Sequence, residues 1–246
     1  MPRRGSGIRR RNSVLNNSSA SILSSVATKR GNAINGDLFT MRHPLLDLDA
    51  PFTSFIDVAF RGTTHQAFVA RDRSAFNFAN ATGQFTVGDF AGHILEMLDS
   101  VETQVSHRYQ AIVDTPHGVL STHSYDSVPG LLALVGSLRP VASRLGVVLD
   151  PDDESEYTSA PRVALDITGF GVLELTPLTA EVIDQLPGWQ GTQVAGGQLY
   201  RGRFTDDAPY LTLVTKTCRA LALPGAGVDE DLLAEMMASL EVDWQT

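Results

Sequence analysis

Seven basic residues near the amino terminus give this chain its clearest chemical signal. The 246 residues include 19 Lys and Arg against 28 Asp and Glu, a net charge of −9. Residues 1–36 hold seven of the basic residues and no acid, so subtraction leaves 12 basic and 28 acidic residues, or −16, in 37–246. The seven are Arg3, Arg4, Arg9, Arg10, Arg11, Lys29 and Arg30. Because an acidic surface repels phosphate, only this N-terminal arm predicts contact with a polyanion.

The N-terminal arm has four interpretations. It could tether the protein to nucleic acid, to a membrane surface or to an acidic protein groove. Its Arg- and Ser-rich, acid-free composition is also typical of a mitochondrial transit peptide. Residues 10–13 read Arg-Arg-Asn-Ser, a form that basophilic kinases favour, so a phosphate on Ser13 would cancel part of the charge. The fourth interpretation is an inert, solubilising tail; we favour the tether.

The histidines suggest a metal or acid–base site only weakly. His107 and His123 fall on two predicted strands of one hairpin, and a turn centred on Thr115 would place them directly opposite each other. A shift of one residue in register would separate them onto opposite faces. His43 lies near two aspartates in an irregular segment, which is weak evidence for a metal ligand. We therefore interpret the histidines as surface or packing residues and predict no metal site.

Cys218 is the single cysteine, so an intrachain disulfide is impossible. It falls within an alternating segment, residues 210–219, that predicts one strand. We expect a buried or half-exposed structural thiol and not a nucleophile. One cysteine fits a reducing compartment such as the cytoplasm.

The usual signatures of nucleotide and acyl-transfer chemistry are missing from the sequence. There is no Gly-x-Ser-x-Gly, no phosphate-binding loop and no full Gly-x-Gly-x-x-Gly. Gly169-Phe170-Gly171 is followed by a second predicted strand and not by a helix, so it predicts a hairpin turn. We predict no catalytic residue and no cofactor.

Charged residues inside predicted strands are the remaining candidates. Asp57, Asp166 and Glu174 would need partners if they faced a core, and alternation places Asp166 on the outer face. Arg201 and Arg203 make residues 198–204 the one cationic strand of the body. We expect these arginines to pair with the acidic residues of 150–156, in preference to binding an anionic ligand.

The elements that must position these residues follow a recurring order of two strands and a helix. Predicted strands cover 55–61, 65–71, 107–113, 118–125, 162–168, 172–176, 198–204 and 210–219, with extensions at 75–78 and 84–87. Predicted helices cover 89–101, 128–145, 180–186 and 229–242. Short turns between strands imply antiparallel pairing. The sequence thus predicts an α+β fold with antiparallel sheets, helices packed on one face, and a disordered basic arm.

Composition divides the chain into four parts. Residues 1–36 form the disordered arm, 37–149 and 162–246 form two α+β subdomains, and 150–161 is an acidic, proline-bounded linker. No apolar run is long enough for a transmembrane segment, and the N-terminus lacks the apolar region of a secretory signal.

These observations predict a non-enzymatic interaction or assembly protein. Its acidic body would bind a protein partner, itself included, and its arm would contact an anionic surface such as nucleic acid. Similar arms occur on virus and phage structural proteins, an analogy of charge layout alone. Two alternatives stay open: an enzyme with a site in the cleft between the two halves, and an organelle-targeted soluble protein.

Overall fold

The computed structural model describes residues 26–60, 63–71, 76, 78, 81–88, 90–101, 104–115, 118–124, 127–140, 147–149 and 155–246. The strands of the first part are Ala27–Asn32 (β1), Leu38–His43 (β2), Phe52–Phe60 (β3), Thr63–Arg71 (β4), Ala81–Val87 (β5), Phe90–Val101 (β6), Gln104–Thr115 (β7), Gly118–Ser124 (β8), Leu138–Pro140 (β9) and Val147–Leu149 (β10). Those of the second part are Ser155–Thr158 (β11), Arg162–Ile167 (β12), Gly171–Pro177 (β13), Thr192–Val194 (β14), Gly197–Arg203 (β15), Pro209–Val214 (β16), Cys218–Pro224 (β17) and Glu241–Gln245 (β18). The helices are Val128–Gly136 (α1), Ala180–Asp184 (α2) and Glu230–Ala238 (α3).

The protein is mostly β, so the predicted α+β class is wrong. Within the described ranges, eighteen strands form three antiparallel sheets, and the chain also has three short helices. The large sheet has the order β14-β15-β16-β17-β13-β12-β3-β4-β8-β7-β6-β5, with β11 also paired to β3. The small sheets are β1-β2-β18 and β9-β10. None of the helices in the described part of the chain has the length and apolar content needed to cross a bilayer.

Residues 89–101, predicted as a helix, hold β6 instead. Apolar residues recur every three or four positions in this segment because the sheet is covered on both faces at this point. Ile94 packs on the side of α1, while the adjacent Leu95 packs in a cluster with Phe76 and Phe78. Two neighbouring buried residues break the alternation expected of a strand with one wet face, and the pattern then resembles a helix.

Two further predicted elements are divided by turns. The helix predicted over 128–145 ends at Gly136, after which Leu138–Pro140 forms β9. The strand predicted over 210–219 is broken at residues 215–217, where the Thr215 hydroxyl accepts hydrogen bonds from the backbone N–H groups of Thr217 and Cys218. That local side-chain bond stabilises the turn at the expense of a continuous strand.

Several predicted elements are confirmed. The hairpin of β12 and β13 turns at residues 168–170, as its glycines predict. Thr179 caps α2, with its hydroxyl accepting from the Val182 N–H at 3.3 Å. The helix predicted over 229–242 begins where expected, with Asp229 accepting from the Leu232 N–H at 2.8 Å, but it ends at Ala238, and Glu241–Gln245 forms β18.

The end of the predicted disordered arm belongs to the folded body. Residues 27–32 form β1, which pairs along its length with β2. Ala33 and Ile34 are buried in the two largest core clusters, and the Ile34 N–H donates to the Ser54 hydroxyl at 2.8 Å. The prediction failed here because this short segment is stabilised by partners that are distant in sequence.

One sheet runs through both predicted halves. Strand β3 pairs with β12 through Phe52–Phe55 and with β11 through Val58–Phe60. Residues 155–158, predicted as linker, are therefore a strand of this sheet. The boundaries of the two subdomains stay a prediction.

Candidate anion-contact site

Lys29 anchors the first strand to the body. Its Nζ donates to the Ala50 carbonyl at 2.8 Å and reaches the Asp49 carbonyl at 3.5 Å. The same ammonium lies 5.7 Å from the centre of the Phe52 ring. Because these contacts hold the charge against the segment that leads into β3, Lys29 acts as a structural residue. The predicted role of Lys29 as a partner contact stays a prediction.

Arg30 points to the outer face of the small sheet. It lies opposite Thr40 on β2, and Thr40 lies opposite Asp243 on β18. On the same face, Arg42 approaches Glu241 with an N···O distance of 4.0 Å. Within the described ranges, Arg30 forms no comparable ion pair and its side chain is exposed. It is therefore the cation of the body that is best placed to continue the charge of the arm.

A shallow groove of about 550 Å³ runs across this outer face. It is lined by Arg30, Leu38, Phe39, Thr40, Arg42, Glu241, Val242, Asp243 and Gln245. Two arginines face two carboxylates, so the groove has little net charge. It favours short polar contacts over the binding of a bare polyanion.

The remaining predicted arm residues lie outside the described residues. They are Arg3, Arg4, Arg9, Arg10, Arg11 and the possible phosphosite Ser13. Their roles stay predictions. What the structure adds is the point at which the arm enters the body, at Ala27 on β1.

Arg201 and Arg203 have acidic partners other than the predicted ones. Arg201 donates to Asp231 at 2.8 Å, and Arg203 donates to Glu230 at 3.1 Å. The hydrogen bond that Arg201 donates to Asp231 is the largest cause of the raised pKa of Arg201. The acids belong to the first turn of α3, so the arginines also face carboxylates that the helix dipole favours. This network is exposed. Of the predicted partners, residues 150–154 lie outside the described residues, so pairing with them stays a prediction.

The predicted histidine pair is not formed. His123 on β8 lies opposite Gln110 on β7. His107 lies beyond the part of β7 that pairs with β8, and its partner is Leu98 on β6. His107 instead contacts Glu96, with Nδ1 at 2.6 Å from the carboxylate. The turn is centred beyond Thr115, which shifts the register by more than one residue. The two rings therefore cannot share a metal or a proton.

His43 is a buried residue whose role the sequence did not indicate. Its Nδ1 accepts the backbone N–H groups of Leu45 at 3.0 Å and Leu46 at 2.8 Å. Its Nε2 must then carry the proton that it donates to the Met236 carbonyl, 3.0 Å away. Burial lowers the pKa of His43, and the bond to Met236 opposes that shift only in part. The neutral ring thus joins β2 and the following turn to the end of α3.

Cys218 is buried, as predicted. Desolvation raises the pKa of its thiol to about 12. The thiol is therefore protonated at neutral pH and is a poor nucleophile.

The strand carboxylates have structural roles. Asp57 accepts a charge-assisted hydrogen bond from Arg162, whose guanidinium carbon lies 4.3 Å from the centre of the Phe55 ring. Asp166 is exposed on the outer face, which confirms its predicted orientation. Glu174 lies 4.0 Å from Arg219 on the neighbouring strand β17. These contacts stabilise pairing between strands and bring no carboxylates together.

Comparison with known families, curated proteins and solved structures finds no match to this chain. Among the residues whose positions are described, no three His, Cys, Asp or Glu side chains are grouped as a metal site would require. The charge layout and the sheet edges are consequently the features on which a functional argument can rest.

Proposed function

We propose that this chain is a non-enzymatic interaction or assembly protein. Its acidic β body binds protein partners, itself included, and its basic N-terminal arm contacts an anionic partner such as nucleic acid. The observation that carries the proposal is the separation of charge: residues 1–36 hold seven basic residues and no acid, while residues 37–246 carry a net charge of −16. The two parts are suited to different partners, since one attracts phosphate and the other repels it.

The way the arm enters the body supports this division of roles. Lys29 is engaged with the carbonyls of Asp49 and Ala50, which fixes the first strand. Arg30 stays exposed one residue later, on the outer face of the small sheet. Five arginines precede that point in the sequence. A polyanion bound by the arm would therefore end near Arg30 and Arg42, at a place on the body where Glu241 and Asp243 limit further contact with phosphate.

Salt dependence is the property that tests such contacts. Each neutralised phosphate contributes a slope of about −0.7 to −0.9 to the plot of log affinity against log salt. With the five arm arginines and Arg30 engaged, the slope on single-stranded nucleic acid approaches ~−4. The measurement is fluorescence anisotropy of labelled single-stranded DNA and RNA over a range of salt concentrations.

The decisive variant lacks residues 1–25 and keeps β1 intact. A deletion of all 36 residues would remove β1 and the buried Ala33 and Ile34, and would confuse loss of binding with unfolding. We expect the shorter deletion to reduce the magnitude of the slope to about 1 or less, because Arg30 is the one residue of the six that remains. Replacement of Arg3, Arg4, Arg9, Arg10 and Arg11 by glutamine should have the same effect at full length.

Arg201→Gln with Arg203→Gln provides the matched control. It removes two cations that the first turn of α3 already neutralises. Its affinity and slope should equal those of the unaltered protein. Full binding with an unchanged slope in the variant lacking 1–25 would contradict the proposal.

A further inference from the structure

His43 closes the turn that follows β2 with hydrogen bonds that depend on the protonation state of its ring. The residue is 1% exposed, and its Nδ1 accepts the backbone N–H groups of Leu45 at 3.0 Å and Leu46 at 2.8 Å. A ring nitrogen accepts a hydrogen bond only while it carries no proton. A second proton on the ring would place an N–H against two N–H donors, and both bonds to the turn would be lost.

Comparable turns of this protein use acceptors that do not titrate near neutral pH. The side-chain oxygen of Asn35 accepts from the N–H two residues later at 3.2 Å, and that of Asp47 does so at 3.0 Å. Asp229 accepts from the N–H three residues later at 2.8 Å. An amide keeps its acceptor at every pH and a carboxylate stays ionised down to about pH 4, whereas a histidine ordinarily gains a proton near pH ~6.5. His43 therefore makes its turn sensitive to mild acid.

The opposite side of the His43 ring tolerates a proton. Nε2 lies 3.0 Å from the carbonyl oxygen of Met236, in the last turn of α3. Because the C-terminal end of a helix favours a cation, protonation keeps this bond while it breaks the bonds to the turn. Burial opposes the charged ring and lowers the pKa of His43, so the change falls below pH ~6.5.

The charged groups on the elements around His43 do not compensate a charge on its ring. Arg42 and Glu241 lie on the outer face of the small sheet, whereas His43 lies on the inner face. Lys29 is bound to backbone carbonyls, and the acids on the adjoining segments are exposed. These acids are Asp47, Asp49 and Glu235. Within the described residues, the causes that shift the pKa of His43 are its burial and its bond to Met236, so a positive ring would lack an acidic partner.

The segment that His43 closes also holds β1. It places Leu46 in the main core cluster, and its Ala50 carbonyl accepts from the ammonium of Lys29 at 2.8 Å. Within the described part of the chain, β1 pairs with β2 alone, so Lys29 provides a second attachment of that strand. Loss of the bonds at His43 would free the start of the segment, and the carbonyl that holds Lys29 would move with it.

We propose that His43 is a pH-sensitive switch: its protonation releases the segment 44–50 from β2 and weakens the attachment of β1 through Lys29. The switch produces a local change in mild acid at the strand from which the N-terminal arm emerges. It goes beyond the proposed function and does not depend on it, since every contact that forms the switch lies within residues 27–50 and α3.

Residue-resolved amide hydrogen exchange, measured in the full chain from neutral pH to about pH 5, tests the proposal. Rates are corrected for the intrinsic effect of pH on exchange. The amides of Leu45 and Leu46 should lose protection by up to about tenfold for each pH unit below ~6.5, and those of β1 should follow. The amide of Leu232, which donates to Asp229, is the internal reference and should keep its protection.

Two substitutions separate His43 from the other titrating groups. His43→Asn keeps an acceptor for the turn, in the way that Asn35 does, and cannot take up a proton. Its amides at 45 and 46 should show no loss of protection in acid. His107→Asn removes a histidine whose side chain is 54% exposed on another part of the sheet. It should show the same loss as the unaltered chain.

Protection at Leu45 and Leu46 that does not change with pH overturns the proposal, and so does an equal loss in the His43→Asn variant. Full protection of β1 after the turn has lost its own overturns the link to Lys29. If His43→Asn fails to fold, an NMR titration of the His43 ring decides the matter. A ring that stays neutral while the amides lose protection overturns the proposal, and a shared midpoint supports it.

Failure of the switch and failure of the proposed function are distinguishable. The variant lacking 1–25 keeps His43, the turn and β1 intact. It should show the same pH dependence of exchange whether or not the full chain binds nucleic acid.

Discussion

At one end of the large sheet the last strand, β14, has three residues; at the other end β5 has seven, and the next strands, β6 and β7, are paired with each other as far as Val101 and Gln104. The β14 end is also overlaid by α3, which packs on β15, β16 and β17. Arg201 and Arg203 lie there in ion pairs with acids of that helix. We call these regions the closed end and the open end of the sheet.

The difference shows how one antiparallel sheet can be finished in two ways. Short edge strands, edge charges and a covering helix prevent further strand pairing. The closed end has a short edge strand, with Arg201 and Arg203 on the next strand, β15, and with α3 over β15, β16 and β17. The open end has a longer, uncharged edge strand, and helix α1 contacts β5, β7 and β8 there. The two ends therefore differ in the length of the edge strand and in the charges beside it.

The largest effect on this comparison is expected from Gly92→Ala, which acts at the base of the open end. A Cβ at Gly92 would lie 2.2 Å from the backbone oxygen of Ile112 on β7. Strands β6 and β7 would have to separate at this point, which weakens their pairing. We expect the free energy of unfolding to fall by about 3 kcal/mol, as measured by urea denaturation.

Gly83→Ala on β5 is the matched control for that substitution. No atom lies within 4 Å of the Cβ position at Gly83, so the change should alter stability by less than about 0.5 kcal/mol. Equal stability of the Gly92→Ala variant and the unaltered protein would mean that β6 and β7 do not approach so closely. The open end would then be held more loosely than the register implies.

An intermediate effect is expected from pH at His43, which ties the small sheet to α3. Burial lowers the pKa of His43 in the folded protein, so below pH ~6.5 the unfolded chain binds a proton that the folded chain resists. Stability is therefore complete above that pH and is lost as pH falls toward the lowered pKa. The loss is at most about 1.4 kcal/mol per pH unit.

The measurement is urea denaturation at a series of pH values from neutral to mildly acidic, for the unaltered protein and for His43→Gln. The variant should be less stable at neutral pH, because two backbone N–H groups lose their acceptor, and it should lack the slope that His43 contributes. An identical pH profile for the two proteins would show that protonation of His43 is not linked to folding.

The sequence predicted elements whose determinants are local and missed those set by distant partners. Hairpin β12–β13 and helix α3 carry their own signals in Gly169, Gly171 and the cap Asp229, and all three act within a few residues. Strand β6 does not, because whether both faces are covered depends on α1 and on Phe76 and Phe78. This misassignment, together with the helices predicted too long over 128–145 and 229–242, turned a mostly β protein into a predicted α+β one.

The candidate site was predictable in its charge and not in its geometry. The count of arginines could be read directly, whereas the engagement of Lys29 by Ala50 depends on how β1 pairs. His43 meets Met236 across 193 positions of sequence, a contact that no local pattern records. Charge alone would allow Arg201 to pair with several acidic residues, and the position of α3 determines that Asp231 is its partner.

The smallest effect is expected at the closed end, from Arg201→Gln with Arg203→Gln. Both arginines are about half exposed, at 50% and 53% of the side chain, so water and salt screen their ion pairs. Glu230 and Asp231 remain favoured by the dipole of α3 after the change. Stability should fall by about 0.5–1 kcal/mol at low salt, and the difference should shrink as salt is added. A loss above about 2 kcal/mol that persists in salt would instead mean that the network is a buried support of the closed end.

Sedimentation velocity of the same variant tests whether the arginines also protect the sheet edge at β14. If the variant associates through the β14 end, the arginines prevent strand pairing there. If its oligomeric state is unchanged, the short strand and α3 are enough to prevent that pairing.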